Sequence, residues 1–463
     1  MRTLTNTRQL AVTASVMVAT AAASQALGAQ SQPAIRQIGP LERISADSFG
    51  LRSIATVLAM PGGKVMINDI TGRRVLLLDS TLARATVAAD TTSATANAYG
   101  ASWSTLIRFR GDSALLMVPS TLSMFVLAPT GSIARVMAVP RPAEAQLLNG
   151  AFGNPAVDGR GRLIYFRGSL PGIMMLTRGL QLLQDGQPTE IAQRLRQFGD
   201  PTFNVGRTAI DSGVLLRVDL ESRALDTAAH VRIPKYLREI KVDAEGKLES
   251  IATTPDPLPL VDQWTMLRDG TLAIVRGRDF HLDLIDAIGK RTSSPKIPFD
   301  WQRVDDARKT ALIDSAVADW QKVYDDNAAS RNRGSGRASV GGSGATGGRG
   351  GGGGGVGAAG AGQGRSEPAP NIVVRARLDD LPDYVPPFEE RAVLADDDDN
   401  IWIRTTQFVD GRPVYVVIDR RGELVDRVQV PAHRTIAGLG KGVVYLSVVE
   451  AGGKVRLERA RVR

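Results

Sequence analysis

The sequence predicts an all-β protein built from repeated four-stranded antiparallel sheets. The stretch Arg391–Pro431 alternates short runs of β-branched and aromatic residues with turns rich in Asp, Gly and Asn, which is the pattern of an antiparallel meander. One such meander cannot bury both of its faces, so further copies are expected along the chain. The turn residues Gly63, Asp112 and Gly161 recur at 49-residue intervals, a spacing typical of the blades of a β-propeller.

Six copies of this pattern are present, and together they predict a six-bladed β-propeller over residues 30–463. The copies begin at Pro61, Arg110, Asp158, Arg268, Arg391 and Leu439. Asp243–Glu249 resembles another turn but is interpreted as part of the connection between the third and fourth copies.

The two ends of the chain are predicted to meet. The sixth copy ends after three strands, which would leave an open sheet edge. Ala34–Ser45 is strand-like and belongs to no copy. It is therefore predicted to pair as the outer strand of the last blade and to close the ring.

The N-terminal Met1–Ala29 has the features of a secretory signal peptide: a basic start with Arg2 and Arg8, an apolar run over Leu10–Ala23, and small residues before the end. This predicts a periplasmic or extracellular protein. The apolar run is shorter than the roughly 20 residues that a transmembrane helix needs, so no membrane span is expected.

Composition narrows the kinds of functional site and partner that the chain can have. The chain has no Cys, which excludes disulfides, thiolate metal sites and Cys nucleophiles. Its formal charge of +9 is spread along the sequence, so no nucleic-acid partner is expected. A monomer is expected.

Two insertions interrupt the copies, at residues 168–212 within the third and at residues 301–388 between the fourth and fifth. Because both fall in links on the same side of the blades, they are expected to cover the channel mouth on that side. Residues 304–326 are predicted to form an amphipathic helix, with Ile313, Val317, Trp320 and Tyr324 on one stripe. Residues 331–365 contain 17 Gly and are predicted to be a disordered linker.

The first strand of each blade begins on the insertion-bearing side, so its opening residues are predicted to line the mouth. Arginines and indoles at such positions suit an anionic or carbohydrate-like ligand, by charge and by stacking; an unknown protein partner is also compatible with them. The predicted ligand-binding residues are Arg52, Trp103, Asn154, Gln263, Trp264, Arg391 and Arg434. The competing interpretation is that these are ordinary polar residues around a wet channel.

The stretches DDDDNIWIR followed by VYVVIDRRGELVDRVQVP, and RDGTLAIV followed by LDLIDAIGK, resemble secreted six-bladed propellers of the NHL/TolB-like kind. The resemblance implies the fold and no particular activity. The favoured function is a binding scaffold without a cofactor. No catalytic residues are assigned, because no Ser-His-Asp order or G-x-S-x-G elbow occurs.

The alternative function is a calcium-dependent lactonase- or esterase-like hydrolase, an activity that some six-bladed propellers have. Such hydrolases hold Ca²⁺ with Asn, Asp and Glu at the mouth, and the matching positions are Asn154, Asp262 and Glu390. The run Asp396–Asp399 is interpreted as a solvated turn, with a surface calcium site as its alternative.

Overall fold

The computed structural model describes residues 33–91, 99–100, 104–150, 153–168, 206–242, 248–335, 371–450 and 452–462. The protein is mostly β, and the α-helix among these residues is α1 (Asp306–Ser335). The predicted signal peptide Met1–Ala29, Trp103, residues 169–205 of the first insertion and residues 336–370 of the second, which include most of the predicted linker, lie outside the described residues.

The strands of the described residues pair into six sheets. Sheet I contains β3 (Thr56–Ala59), β4 (Val65–Asp69), β5 (Arg74–Leu78) and β6 (Ala85–Ala89). Sheet II contains β7 (Thr105–Arg108), β8 (Ala114–Val118), β9 (Ser123–Leu127) and β10 (Ile133–Ala138). Sheet III contains β11 (Ala156–Val157), β12 (Leu163–Arg167), β13 (Gly206–Val218), β14 (Leu225–Val242), β15 (Leu248–Thr254) and β20 (Asn371–Val373).

The C-terminal half supplies the other three sheets, two of which also take an N-terminal strand. Sheet IV contains β16 (Gln263–Met266), β17 (Leu272–Arg276), β18 (His281–Ile285) and β19 (Arg291–Lys296). Sheet V contains β21 (Phe388–Ala395), β22 (Ile401–Val409), β23 (Arg412–Ile418), β24 (Leu424–Gln429) and β1 (Ile35–Gln37). Sheet VI contains β25 (Arg434–Gly440), β26 (Val443–Val449), β27 (Val455–Arg461) and β2 (Leu41–Ile44).

The sheets have a propeller-like arrangement. The first strands of the six sheets, β3, β7, β11, β16, β21 and β25, contact one another in that order, and β25 contacts β3. Clusters of buried apolar side chains lie between neighbouring sheets. Because successive residues of a strand point to opposite faces, Met66 of β4 packs toward sheet II while Val65 and Ile67 pack toward sheet VI. Both faces of the sheet are thereby covered by neighbours.

The Asp residues that mark the turns in the sequence act through their own side chains. In several turns one carboxylate oxygen accepts the backbone N–H groups of the residues two and four positions later, which holds the turn closed. Asp158, Asp286, Asp396 and Asp419 all do so.

The N-terminal segment is divided between two sheets. As predicted, the chain's start pairs with its last strand, since β2 runs antiparallel to β27. The prediction of one outer strand over Ala34–Ser45 is wrong in its extent, because β1 instead runs parallel to β24 on sheet V. The break lies at Gly39 and Pro40, where proline has no N–H for a sheet ladder and a Cβ on Gly39 would lie 2.7 Å from the Arg461 carbonyl oxygen.

Two further boundaries differ from the sequence prediction. β14 and β15 pair antiparallel on either side of residues 243–247, in the region that the sequence pattern assigns to a connection. The helix predicted for residues 304–326 continues to Ser335, into the stretch assigned to the linker. Residues 327–335 carry no apolar periodicity, so the sequence pattern does not indicate this extension. None of the described helices has the length and apolarity that a membrane crossing would require.

Gly270 allows the turns of sheets III and IV to meet. Its φ is +79°, and a Cβ there would lie 1.9 Å from the Gly159 nitrogen, whose N–H donates to the Gly270 carbonyl oxygen at 3.3 Å. Gly270→Ala is expected to lower the free energy of unfolding, by roughly 1–3 kcal/mol from backbone strain and by more because Gly159 must move.

Gly442→Ala is the matched control for that variant. Gly442 has a similar φ of +66°, but a Cβ at this position would have no neighbouring atom within 4 Å. In urea unfolding, Gly442→Ala should lose only the free energy that backbone strain costs. Equal losses in the two variants would mean that the close contact between Gly270 and Gly159 does not add to the loss.

Candidate ligand-binding site

The predicted mouth residues on sheets IV and V lie together. The Gln263 Oε1 atom accepts the Arg391 backbone N–H at 2.6 Å, and Arg391 adopts a φ of 57°. Trp264 is 5% exposed and stacks on Phe166 at 6.0 Å between ring centroids. Its indole is therefore part of the core between sheets III and IV rather than a surface presented to a ligand.

The other described mouth residues have different partners or are exposed. The Arg434 guanidinium is bound by both carboxylate oxygens of the buried Glu458, at 2.6 and 3.1 Å. Arg52 is exposed, and its backbone N–H donates to Asp69 at 3.3 Å. Asn154 is exposed as well. Among the described members of the predicted set, the hydrogen bond of Gln263 with Arg391 is the direct contact that the structure shows.

Two of the three residues of the calcium alternative, Asp262 and Glu390, are poorly suited to a calcium ion. Asp262 is 4% exposed, and its Oδ2 atom accepts hydrogen bonds from Arg276 at 2.8 Å and from the Arg232 backbone at 3.0 Å. Its Oδ1 atom accepts the Gly277 N–H at 3.1 Å. A carboxylate already neutralised by a guanidinium is a poor ligand for a hard cation. Among the described residues, no group of three or more acidic or His side chains is placed to hold a metal.

Burial raises the pKa of Glu390 above its ordinary value, and the neighbouring Arg391 charge opposes this. Glu390 thus prefers its neutral form more than a free glutamate does. This is the reverse of what a calcium ligand requires.

Ion pairs join opposite sheets on the side away from the insertions, where the Asp/Gly turns lie. The Asp397 carboxylate of sheet V binds Arg108 of sheet II at 2.9 Å and Arg268 of the sheet IV turn at 3.6 Å. Asp399 accepts the Arg268 backbone N–H at 2.7 Å and pairs with Arg420 at 3.1 Å. The acidic run therefore serves as a turn and as a bridge between sheets.

A cavity of about 260 Å³ lies on the insertion-bearing side, outside the predicted mouth set. Its wall is drawn from residues 235–239 of β14, residues 252–256 at the end of β15, and residues 374–381 that follow β20. β14 reaches this position because it continues past the blade and pairs with both β13 and β15. β20 then adds to β15 in parallel, with Ala252 opposite Ile372.

Helix α1 holds this layer in place. Ile313 is 3% exposed and packs with Leu258, Val304 and Leu381. Tyr324 donates its hydroxyl to Thr253 of β15 at 3.1 Å. The predicted apolar stripe of the helix therefore packs against the layer that forms the cavity.

Four cationic and three acidic side chains line the cavity. They are Lys235, Arg238, Arg375, Arg377, Glu239, Asp256 and Asp380. Three of the cations have acidic partners: Lys235 pairs with Asp380 at 3.2 Å, Arg375 with Asp314, and Arg377 with Asp379 at 3.6 Å.

Arg238 differs from the other cations of the cavity. Its Nε and Nη1 atoms are buried and have no hydrogen-bond partner within the part of the chain that the structure describes. Burial lowers the pKa of Arg238, and the Tyr324 hydroxyl opposes this weakly. Desolvation of a guanidinium without a partner is costly. An anion bound beside Arg238 would offset this cost.

Sequence reasoning missed the cavity residues. The one local signal of the cavity in the sequence is the charge-rich stretch before Asp380, in which Arg375 and Arg377 alternate with apolar residues. The wall forms only because β20 pairs with a strand more than 100 residues earlier in the chain, and no local pattern predicts such a pairing.

No family model matches the chain, and no curated protein matches it. Among solved structures, it is similar to virginiamycin B lyase from Staphylococcus aureus, with 9% identity, 92% of this chain and 99% of that chain covered, and a TM-score of 0.33. It is similar to the calcium-binding protein regucalcin from Agrobacterium tumefaciens, with 12% identity, 93% and 98% coverage, and a TM-score of 0.36. It is also similar to the PQQ-bound aldose sugar dehydrogenase from Streptomyces coelicolor, with 11% identity, 93% and 100% coverage, and a TM-score of 0.35. At these identities and TM-scores, the similarities carry no argument about what this chain binds or does.

Proposed function

We propose that this protein is an exported β-propeller scaffold that binds a small ligand on its insertion-bearing side. In this proposal the six sheets are the blades of one closed ring, and the N-terminal strands join the last two blades. The cyclic contacts of β3, β7, β11, β16, β21 and β25 support a closed ring. Export rests on the signal-peptide features of Met1–Ala29.

The observation that carries the binding proposal is the cavity between β14, β15 and residues 374–381. Its volume of about 260 Å³ lies just below the roughly 300 Å³ at the small end of ligand pockets, so the ligand is a small metabolite rather than a large cofactor. Strands and a packed helix support its walls, which favours a preformed site.

The calcium-dependent hydrolase is the weaker candidate. Asp262 already neutralises Arg276, and burial favours the neutral form of Glu390. The binding scaffold needs no such metal.

A cavity-filling variant tests the binding proposal. Ala252 lies on the wall, and in Ala252→Trp the indole is expected to occupy the cavity. Native mass spectrometry after incubation with a small-molecule extract of the cell envelope should show bound adducts on the wild type and at least about 10-fold fewer on the variant.

Ala138→Trp on the exposed outer strand β10 of sheet II is the matched control, and it should bind as the wild type does. The proposal is contradicted if the wild type binds no small molecule, or if Ala252→Trp binds the same adducts in the same amounts.

A further inference from the structure

The unpaired charge of the cavity indicates what kind of ligand it takes. Each acidic group of the wall already has a partner: Asp380 pairs with Lys235 at 3.2 Å, and Glu239 pairs with Lys241 at 3.8 Å. Asp256 accepts the backbone N–H groups of Lys235 at 3.3 Å and Leu258 at 3.2 Å. Arg238 is thus the cation of the wall that these acids leave without a counter-charge.

The remaining wall is partly apolar. Leu237, Val374, Ala376 and Leu381 contribute to it, and Leu381 is only 6% exposed. Apolar side chains beside a buried guanidinium favour a ligand with an anionic end and a short apolar body.

We propose that the cavity binds a small monocarboxylate whose carboxylate group is held by Arg238. This inference rests on the proposed function and names the ligand class of that site. A guanidinium donates charge-assisted hydrogen bonds to a carboxylate, and these are stronger than neutral ones. A single negative charge balances the one unpaired cation, whereas a phosphate dianion would bring an excess charge beside Asp256.

Asp256 supports the choice of a singly charged ligand. Burial raises the pKa of Asp256, although the backbone N–H groups of Lys235 and Leu258 oppose the shift. A carboxyl group with a raised pKa takes up a proton more readily when a second anion approaches. The cavity therefore tolerates one added negative charge better than two.

The experiment measures the thermal midpoint of the full chain against acetate, butyrate and benzoate, with inorganic phosphate and glucose as comparators. The wild type should be stabilised in a concentration-dependent way by the carboxylates, butyrate and benzoate acting at lower concentration than acetate. In Arg238→Met, the apparent affinity for the carboxylates should fall about 10- to 100-fold.

Arg421→Met is the matched control, since this variant removes the same charge from a position outside the cavity wall, where the Arg421 side chain is 75% exposed. It should change carboxylate affinity less than about 3-fold. Arg238→Met should also have an unligated midpoint equal to or above that of the wild type, because it removes a buried charge without a partner.

Three outcomes would overturn the proposal: no carboxylate stabilises the wild type, phosphate stabilises it more strongly than the carboxylates, or Arg238→Met responds as strongly as the wild type. If the cavity binds extract molecules and Ala252→Trp blocks them while the carboxylates have no effect, the ligand class is wrong and the binding function stands. If no molecule binds at all, both are wrong.

Discussion

Arg276→Met is expected to lower the free energy of unfolding by about 3–5 kcal/mol, the cost of breaking a buried ion pair by removing one partner. The Arg276 guanidinium binds two carboxylates that are almost fully buried: Asp262 at 2.8 Å and Asp283 at 2.6 Å. Methionine fills similar space but leaves Asp262 with only backbone donors. Urea unfolding followed by tryptophan fluorescence measures the loss.

Arg421→Met is the control for this variant. Arg421 also binds two carboxylates, Asp419 at 3.1 Å and Glu423 at 3.0 Å, but its side chain is 75% exposed. Exposed pairs contribute little to stability, so no measurable change is expected. Equal losses in the two variants would show that burial of the carboxylates is not what makes Arg276 important.

Acid unfolding gives a second readout of the same group. Burial raises the pKa of Asp283, but hydrogen bonds from Ser293, Arg276 and Arg291 outweigh it and lower the pKa from 3.8 to about 2. Because the folded-state pKa lies below the unfolded one, this stabilisation is complete above about pH 4 and is lost as the pH falls toward 2. Arg276→Met should therefore lose less stability than the wild type between pH 4 and pH 2.

Removal of residues 1–45 is expected to destabilise the protein strongly, by on the order of 5 kcal/mol or more. The lost segment includes β1 and β2, and Ile38, which is 7% exposed, packs in the core between sheets V and VI. Re-exposing such a side chain costs roughly 1.5–3 kcal/mol, and each lost hydrogen bond about 1 kcal/mol. Those lost include both bonds between Ser45 and Leu457, at 2.8 and 3.0 Å.

Removal of residues 1–32 alone is the control, because it leaves both strands in place. Differential scanning calorimetry should show a midpoint near that of the full chain for this variant, and a much lower one for the longer deletion. Similar midpoints for the two deletions would mean that the N-terminal strands do not hold sheets V and VI together.

The repeated sheets were predictable because their signals are local. A turn Asp that binds its own backbone, as Asp396 does, and a strand with apolar residues on both faces, such as Val65–Asp69, are visible in any short window of sequence. The pairing of β2 with the last strand was predictable for a related reason, since an open edge requires a partner.

The candidate site was less predictable because its parts are distant in the sequence. The mouth residues are predicted from the position at which each first strand begins. That position does not show whether a side chain already has a partner within the protein. Arg434 is held by Glu458 and Trp264 by Phe166. Conversely, Arg238 follows no motif, and only the pairing of β14, β15 and β20 places it at a cavity.

The contact between Arg108 and Asp397 has a mechanical consequence. Sheets II and V stand three places apart in the cyclic order of contacts, so they have no common packed face, yet these two side chains meet at 2.9 Å. The pair links the two sheets directly, so moving sheet II away from sheet V requires breaking this ion pair as well as the packing between neighbouring sheets. Through Asp397, sheets II, IV and V are therefore coupled on the side where the Asp/Gly turns lie, although among the described residues sheet II packs against neither of the other two.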